Sequence, residues 1–299
     1  MSSTPLPDTL EKLSPCKVNL LLNILGKRAD GFHELETVMH PIALCDRLEF
    51  TRTGIGVNLT CSEPGLPADA SNLVHRAATA FLSEAGLAEQ TGLRIHLEKR
   101  IPMAAGLGGG SANAATTLSA LNQMFGRPLD GPRLQKTAAA LGSDVPFFLQ
   151  QSPALATGRG ERIESLKPLP ALAGTALLLV HPGFGIATAW AYRALARFPD
   201  ALHGHAGRAR RLLGRLEAGD LAGAAGEFYN SLEAPALEKH PLLGLYQEFL
   251  KAQGAAATLM SGSGSTVFAI AHNEASAREL EARLQAKFGP CWSAVVGWG

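Results

Sequence analysis

The stretch Lys99-Arg-Ile-Pro-Met-Ala-Ala-Gly-Leu-Gly-Gly-Gly-Ser-Ala-Asn-Ala-Ala-Thr-Thr117 sets the reading of everything around it. Ahead of it, Leu93, Ile95 and Leu97 alternate with Arg94, His96 and Glu98, the period of a half-buried strand. Behind it, Ala112, Ala115, Leu118 and Leu121 recur every third residue in a run almost free of helix breakers. The pattern predicts a strand, a glycine loop and a helix in that order. Gly106, Gly108, Gly109 and Gly110 allow left-handed backbone and close approach of a ligand to bare amides. Unpaired N–H groups near Ser111, at the predicted helix start, favour an anion there. A phosphate cradle is the functional reading, and a flexible glycine turn competes with it. Neither familiar phosphate fingerprint fits: G-x-x-x-x-G-K-[ST] is absent, and Ser111 stands where G-x-G-x-x-G needs its third glycine.

A chain of 299 residues is long enough for two domains. Charged residues make up 18%, against about 25% in typical globular proteins, which argues against disorder. The formal net charge of +1 gives no electrostatic footprint for nucleic acid. Cys16, Cys45, Cys61 and Cys291 are far apart and form no C-x-x-C pair, so a reducing compartment is expected rather than zinc or disulfides. Met1 to Leu13 is polar with no apolar leader core, and the longest apolar run, Ala171 to Val180, falls well short of the ~20 residues that span a bilayer. A cytoplasmic protein with no membrane partner is expected.

From Cys16 to Ile24 the chain reads as a strand, with Val18, Leu20, Leu22 and Ile24 on one face and Lys17, Asn19, Leu21 and Asn23 on the other. The polar face is either a solvent-facing edge or a site. A turn follows through Asp30-Gly31 to Phe32 and His33, which either line a pocket or lie on a loop surface. Paired strands are predicted at 47–52 and 56–61, and helices at 72–86 and Leu129–Leu141, the second capped by Gly142. Asp144, just before Pro146, has the position of a helix N-cap or of a functional acid. A domain boundary is expected near 153–175, dividing the chain into 1–160 and 161–299. Beyond it come a strand Ala176–Val180, a loop His181–Gly185 and a helix Thr188–Arg197. Arg208, Arg210, Arg211 and Arg215 then mark either an anion patch or a solvated helix face. A second glycine-serine turn lies within Ala255–Ile270, followed by a helix 273–287 and a strand 291–298.

Three separated motifs converge. They are Pro15-Cys-Lys-Val-Asn-Leu20 continuing into Lys27-Arg-Ala-Asp-Gly-Phe-His33, then Pro102 to Ala112 with Leu141-Gly-Ser-Asp-Val-Pro146, then Met260-Ser-Gly-Ser-Gly264. Their order and spacing resemble the GHMP kinase superfamily of small-molecule kinases, over nearly the whole chain. The Lys-Arg-x-Asp-Gly-aromatic-His run resembles the members that phosphorylate the 2-hydroxyl of a cytidine-diphosphate-linked methylerythritol on the non-mevalonate route to isoprenoids. The resemblance implies an α+β fold in two domains, the first like the second domain of ribosomal protein S5 and the second a ferredoxin-like sandwich. It implies ATP as co-substrate and Mg²⁺ beside it.

Carried onto this chain, the resemblance makes Lys17 and Asp144 the catalytic pair, with Asp144 the general base. It gives the ATP phosphates to Pro102, Met103, Ala104, Ala105, Gly106, Leu107, Gly108, Gly109, Gly110, Ser111 and Ala112, and places Asn72 and Lys99 beside the adenine. Ser111 is the side chain then expected nearest the metal. Asn19, Phe32, His33, Thr188, Tyr192, Ser261 and Gly262 face the substrate, with Phe32 and Tyr192 stacking on the cytosine and His33 reading its edge. Three positions depart from the family pattern: Phe32 replaces a tyrosine, Cys16 a small alanine, and Ala104-Ala105 two glycines. Ordinary φ values are therefore expected at those two alanines. Rival readings are a GHMP kinase for another alcohol, of mevalonate or homoserine type, and a nucleotide-binding regulator without catalysis.

Overall fold

The computed structural model describes residues 7–150 and 152–299; residues 1–6 of the expected polar segment Met1–Leu13, together with Gln151, lie outside the described residues. The chain forms two compact units. One takes the described residues of Met1–Cys16, Leu44–Ile101 and Gly109–Gln151, and the other Lys17–Ala43, Pro102–Gly108 and Ser152–Gly299. Two long strands, β1 (Thr9–Lys27) and β2 (His33–Thr53), contribute residues to both units. β1 begins well before the predicted Cys16. Its first residues alternate in exposure, and cross-strand pairs such as Arg47 with Glu11 (2.7 Å) support a polar strand that hydrophobic pattern does not reveal.

In the first unit, β3 (Gly56–Cys61), α1 (Leu73–Glu84), β4 (Gly92–Glu98), α2 (Gly109–Met124) and α3 (Gly131–Leu141) surround one core. β4 pairs antiparallel with β2 from Arg47–Glu98 to Thr53–Gly92, and parallel with β3 from Gly56–Gly92 to Cys61–Leu97. Gly92 permits that start, because a Cβ there would lie 2.4 Å from the Gly56 carbonyl oxygen. Leu93, Ile95 and Leu97 all point inward, as the alternation predicts, against Phe50, Phe81, Ala114, Leu118 and Leu121. The alanines of α2 let the helix lie close, and Phe81, fully buried, is worth about 3–5 kcal/mol against alanine. α1 starts at Leu73 because Asn72 caps it, and α3 at Gly131 because Asp130 accepts the Arg133 N–H at 2.9 Å. Gly142 closes α3 with extended rather than left-handed backbone.

The second unit adds β5 (Ala154–Gly158), β6 (Arg162–Ser165), β7 (Ala176–His181), α4 (Thr188–Ala194), α5 (Pro199–Leu202), α6 (Arg208–Glu217) and α7 (Leu221–Ala224). It continues with β8 (Tyr229–Asn230), α8 (Glu233–Lys239), α9 (Pro241–Ala252), β9 (Ala257–Met260), β10 (Val267–Ala271), α10 (Glu274–Phe288) and β11 (Trp292–Val296). The order β11-β7-β10-β9, all antiparallel, is the 4-1-3-2 arrangement of a ferredoxin-like sandwich, with α9 and α10 supplying Tyr246, Leu250, Leu280 and Leu284 to one core. β2 pairs with β5 through Leu35–Gly158 to Met39–Ala154, and β1 runs parallel to β8 at Leu21–Tyr229. The predicted helix Thr188–Arg197 is α4 followed by a tighter turn, Leu195–Arg197.

The four arginines of α6 form no anion patch. Arg208 and Arg211 meet Glu227, Arg210 meets Glu164 and Arg215 meets Asp220, so the helix face is charge-compensated. All four cysteines are free thiols. Among the described residues no helix is long and apolar enough to cross a membrane.

Candidate active site

The glycine loop is more economical than its composition suggests. Only Gly106 (φ 78) and Gly108 (φ 69) adopt left-handed backbone, while Gly109 and Gly110 are already the first residues of α2. The helix therefore starts two residues before Ser111, close to the predicted start. Ala104 corrects the second expectation: its φ of 52 is left-handed, although Ala105 is not. Such a conformation costs an L-residue roughly 1–2 kcal/mol, so the neighbours must impose it. They do so from two sides: the Ala105 carbonyl accepts the Thr266 N–H at 3.1 Å, and a Cβ on Gly185 would lie 2.6 Å from that of Ala104. Gly106 admits no side chain at all, since its Cβ would fall 2.1 Å from the Ser261 carbonyl oxygen. Gly262 (φ 56) faces the Gly106 carbonyl oxygen in the same way, at 2.8 Å. Two glycine turns distant in sequence thus pack backbone on backbone.

β1 lies against this pair of turns. Lys17, Asn19 and Asn23 are all buried, which excludes the solvent-facing edge. The Lys17 Nζ donates to Asn19 Oδ1 and, at 3.3 Å, to the Gly106 carbonyl, while the Lys17 N–H donates to the Leu107 carbonyl at 3.0 Å. A buried ammonium requires such acceptors. Asn19 in turn donates to Thr37 Oγ1 at 2.8 Å. Ser261, fully buried, bridges the two segments: its hydroxyl accepts the Asn19 N–H (3.3 Å) and donates to the Gly106 carbonyl (3.0 Å). Sequence and structure agree that Lys17, Asn19, Gly106, Ser261 and Gly262 come together, and the Ser261 hydroxyl works inside the protein.

The residues expected around a base are arranged differently. The rings of His33 and Tyr192 meet at 5.1 Å between centroids, tilted by 41°. Burial and the nearby Lys27 hold the His33 imidazole below its ordinary pKa, which keeps one donor and one acceptor nitrogen at neutral pH. Phe32 is 52% exposed, with the Arg159 guanidinium carbon 4.7 Å from its ring centre. Arg159 carries no motif and escapes sequence reading. Thr188, the first residue of α4, is exposed and shares a hydrogen bond with Ser263 at 2.9 Å.

In the first unit, Asp46 is fully buried and organises the run into α2. Its Oδ1 accepts the N–H groups of Arg100 (2.7 Å) and Ile101 (2.9 Å). Its Oδ2 accepts from Lys99 Nζ and from Asn113 Nδ2 (2.9 Å). Lys99 is thereby held at the start of α2, 3.4 Å from where a Cβ on Gly109 would sit. Asp46 also escaped sequence reading; the available signal was a lone acid between Leu44 and Leu48 on an apolar strand. The Asn72 carboxamide is fully employed, accepting the Val74 N–H (2.9 Å) and donating to the Pro67 carbonyl (2.7 Å). Asp144 is half-buried in the turn after α3. The N-cap of the following turn, Pro146–Leu149, is Val145, so Asp144 is not that cap. Ser111 is half-buried and Ala112 buried in the first turn of α2.

The chain matches the GHMP kinases N terminal domain over residues 72–152 and the GHMP kinases C terminal domain over residues 207–290. It is 39% identical to a 4-diphosphocytidyl-2-C-methyl-D-erythritol kinase of Geobacter sp. (strain M21), covering 96% of this chain and 98% of that one. The enzyme of the same name from Pelotomaculum thermopropionicum is 43% identical over 91% of this chain and 93% of its own. A crystal structure of 4-(cytidine 5'-diphospho)-2C-methyl-D-erythritol kinase superimposes with a TM-score of 0.81 at 37% identity, over 97% of this chain and all of the other. Homoserine kinase from Cytophaga hutchinsonii, at 19% identity and a TM-score of 0.78 over 99% of this chain and 96% of its own, shares the fold. The chain belongs to the GHMP kinases and, within them, to the 4-diphosphocytidyl-2-C-methyl-D-erythritol kinase family.

Proposed function

We propose that the protein transfers the γ-phosphoryl group of ATP to the 2-hydroxyl of 4-diphosphocytidyl-2-C-methyl-D-erythritol. The observation that carries this reading is the lock of Gly106 onto Ser261 with the buried Lys17 ammonium beside it, in a chain of this family. Phosphoryl transfer depends on positioning and charge stabilisation rather than covalent catalysis. The amides of the loop from Pro102 and the N-terminus of α2 receive the ATP phosphates. Asp144 accepts the proton of the attacking hydroxyl, and Lys17 stabilises charge on the acceptor oxygen and the transferring group. Phe32 and Tyr192 offer ring faces to the cytosine, His33 reads its polar edge, and Asn19 and Thr188 line the acceptor side. Asn72 and Lys99 flank the adenine side, acting mainly through the cap and the ion pair that shape it. On the linear chain, residues 1–160 carry the ATP-binding and catalytic groups together with Asn19, Phe32 and His33, residues 161–299 complete the acceptor side, and the free thiols suit a cytoplasmic setting.

Magnesium keeps most of its coordination shell as water and phosphate oxygens, needing only one or two protein oxygens. The residues fit such an ion: the Ser111 hydroxyl, an uncharged oxygen donor, lies in the first turn of α2. Mg²⁺ supplies charge neutralisation on the triphosphate, and Ser111 is the side chain we assign to hold it. The test is turnover of the cytidine-linked acceptor with MgATP, with the phosphorylated hydroxyl located by phosphorus NMR. Asp144→Asn should lower kcat by about 10²–10⁴ while MgATP affinity stays unchanged. Near-normal turnover in that variant removes the base assignment.

A further inference from the structure

We propose that Asn230 is a positioning residue for phosphoryl transfer, the clamp that fixes the turn holding the phosphate loop beside Lys17. The inference rests on the function proposed above and adds a residue that none of the three motifs contains. Asn230 is 1% exposed, and its whole carboxamide is used. Nδ2 donates to the carbonyls of Met260 (2.8 Å) and Gly262 (2.7 Å), while Oδ1 accepts the Leu232 N–H (2.9 Å). Two carbonyls, two residues apart, converge on one amide group, and that convergence sets the shape of the turn between them. Ser261 lies at its apex, with its hydroxyl on Gly106 and on the Asn19 N–H.

The clamp is anchored to the strand that carries Lys17. Asn230 pairs with Leu22 of β1. The next residue, Ser231, donates its N–H to the Leu22 carbonyl (2.8 Å) and accepts the Ile24 N–H on its hydroxyl (2.9 Å). A closed circuit results: β1 holds Asn230, Asn230 holds the turn, the turn holds Gly106, and the Gly106 carbonyl receives the Lys17 ammonium at 3.3 Å. The position demands two donors and one acceptor on one short planar group, which asparagine alone supplies at this length. An aspartate would set a carboxylate against two carbonyl oxygens. Relaxing the turn would let Gly106 and the ammonium shift together, and a displacement near 1 Å at a reacting group costs about 10²-fold in rate.

The experiment compares the full-length wild type with Asn230→Asp and the milder Asn230→Ser. Steady-state kinetics use MgATP and the cytidine-linked acceptor, with rates normalised to folded protein by circular dichroism. Asn230→Asp should lose about 30–100-fold in kcat, and Asn230→Ser about 10-fold, with both KM values within about threefold of wild type. Amide hydrogen exchange in Asn230→Ser should accelerate at 260–266 and 103–108 and stay unchanged in β3, β4 and α1. A folded variant with wild-type kcat, a loss confined to KM, or unchanged exchange at 103–108 overturns the clamp. Wild type lacking turnover with this acceptor would count against the proposed function alone, because the exchange comparison still tests Asn230.

Discussion

The phosphate-loop junction and the Gly26–His33 turn are both glycine-bearing and both assigned to ligands, yet they are built on opposite principles. At the junction the side chains of Lys17, Asn19 and Ser261 are buried and hydrogen-bonded, and the backbones of Gly106 and Gly262 leave no space for a methyl group. In the turn, Gly31 also has left-handed backbone (φ 86), but a Cβ there would meet nothing within 4 Å. Beside its backbone bonds, such as the Arg28 N–H to the Phe32 carbonyl (2.8 Å), its ion pairs are partly exposed ones, from Arg28 to Asp30 (3.1 Å) and to Glu34, of a kind worth about 0.2–1 kcal/mol each. Space is closed at the first region and open at the second. The proposed function puts catalytic geometry in the closely packed region and base recognition in the open one.

The largest expected effect breaks that contrast if it fails. Gly106→Ala places a methyl 2.1 Å from the Ser261 oxygen and forces left-handed backbone on alanine. Backbone must move, and kcat/KM should fall by at least about 10³, beyond the 10² expected from a 1 Å displacement alone. Gly31→Ala is the matched control. It carries only the left-handed penalty of roughly 1–2 kcal/mol, and its kcat should remain within about threefold of wild type. Equal losses in the two variants would erase the distinction between the regions.

Stability provides the next test, through Glu233 at the start of α8. Burial pushes its carboxyl up to about 7, although one oxygen accepts from Met260 N–H (2.8 Å) and Gln247 Nε2 (2.6 Å). From its ordinary value near 4.5 up to about 7, the folded chain keeps a proton that the unfolded chain releases. Stability therefore falls as pH rises through that window, and the full penalty applies above it. Glu233→Gln mimics the protonated form. Its stability advantage should be small at pH 5 and grow towards ~3 kcal/mol at pH 8, measured by urea unfolding. Parallel pH profiles for the two proteins would exclude the assignment.

What the sequence reveals follows the same contrast. Alternation at Leu93, Ile95 and Leu97 and the alanine spacing of α2 report local burial, and both are legible because each depends on neighbours in sequence. The glycine loop and Lys17 are legible as motifs. Asp46, Asn230 and the inward duty of Ser261 are not, because each acts on groups 50 or more residues away or on a turn of another element. Ala104 misleads for the same reason: its left-handed φ is imposed by contacts at Ala105 and Gly185, against its own preference. Spacing alone leaves the arginines of α6 as either an anion patch or a solvated face; their acidic partners, such as Glu164 of a separate strand against Arg210, decide for the latter.

The smallest effect lies in the open region and sharpens its role. Phe32 presents half its surface to solvent, backed by the Arg159 guanidinium, so it offers stacking area at little cost to the fold. Base–aromatic stacking is worth about 1–3 kcal/mol. Phe32→Ala should raise KM for the cytidine-linked acceptor about tenfold while kcat and the KM for ATP hold steady. Phe32→Tyr, which keeps the ring face, should change neither by more than about twofold. Stacking is indifferent to base identity, so the role proposed for His33 is to discriminate through its polar edge: CMP should inhibit more strongly than UMP in wild type, and His33→Ala should remove the preference. Equal inhibition by both nucleotides in wild type would separate His33 from base reading and leave Phe32 as a nonspecific platform.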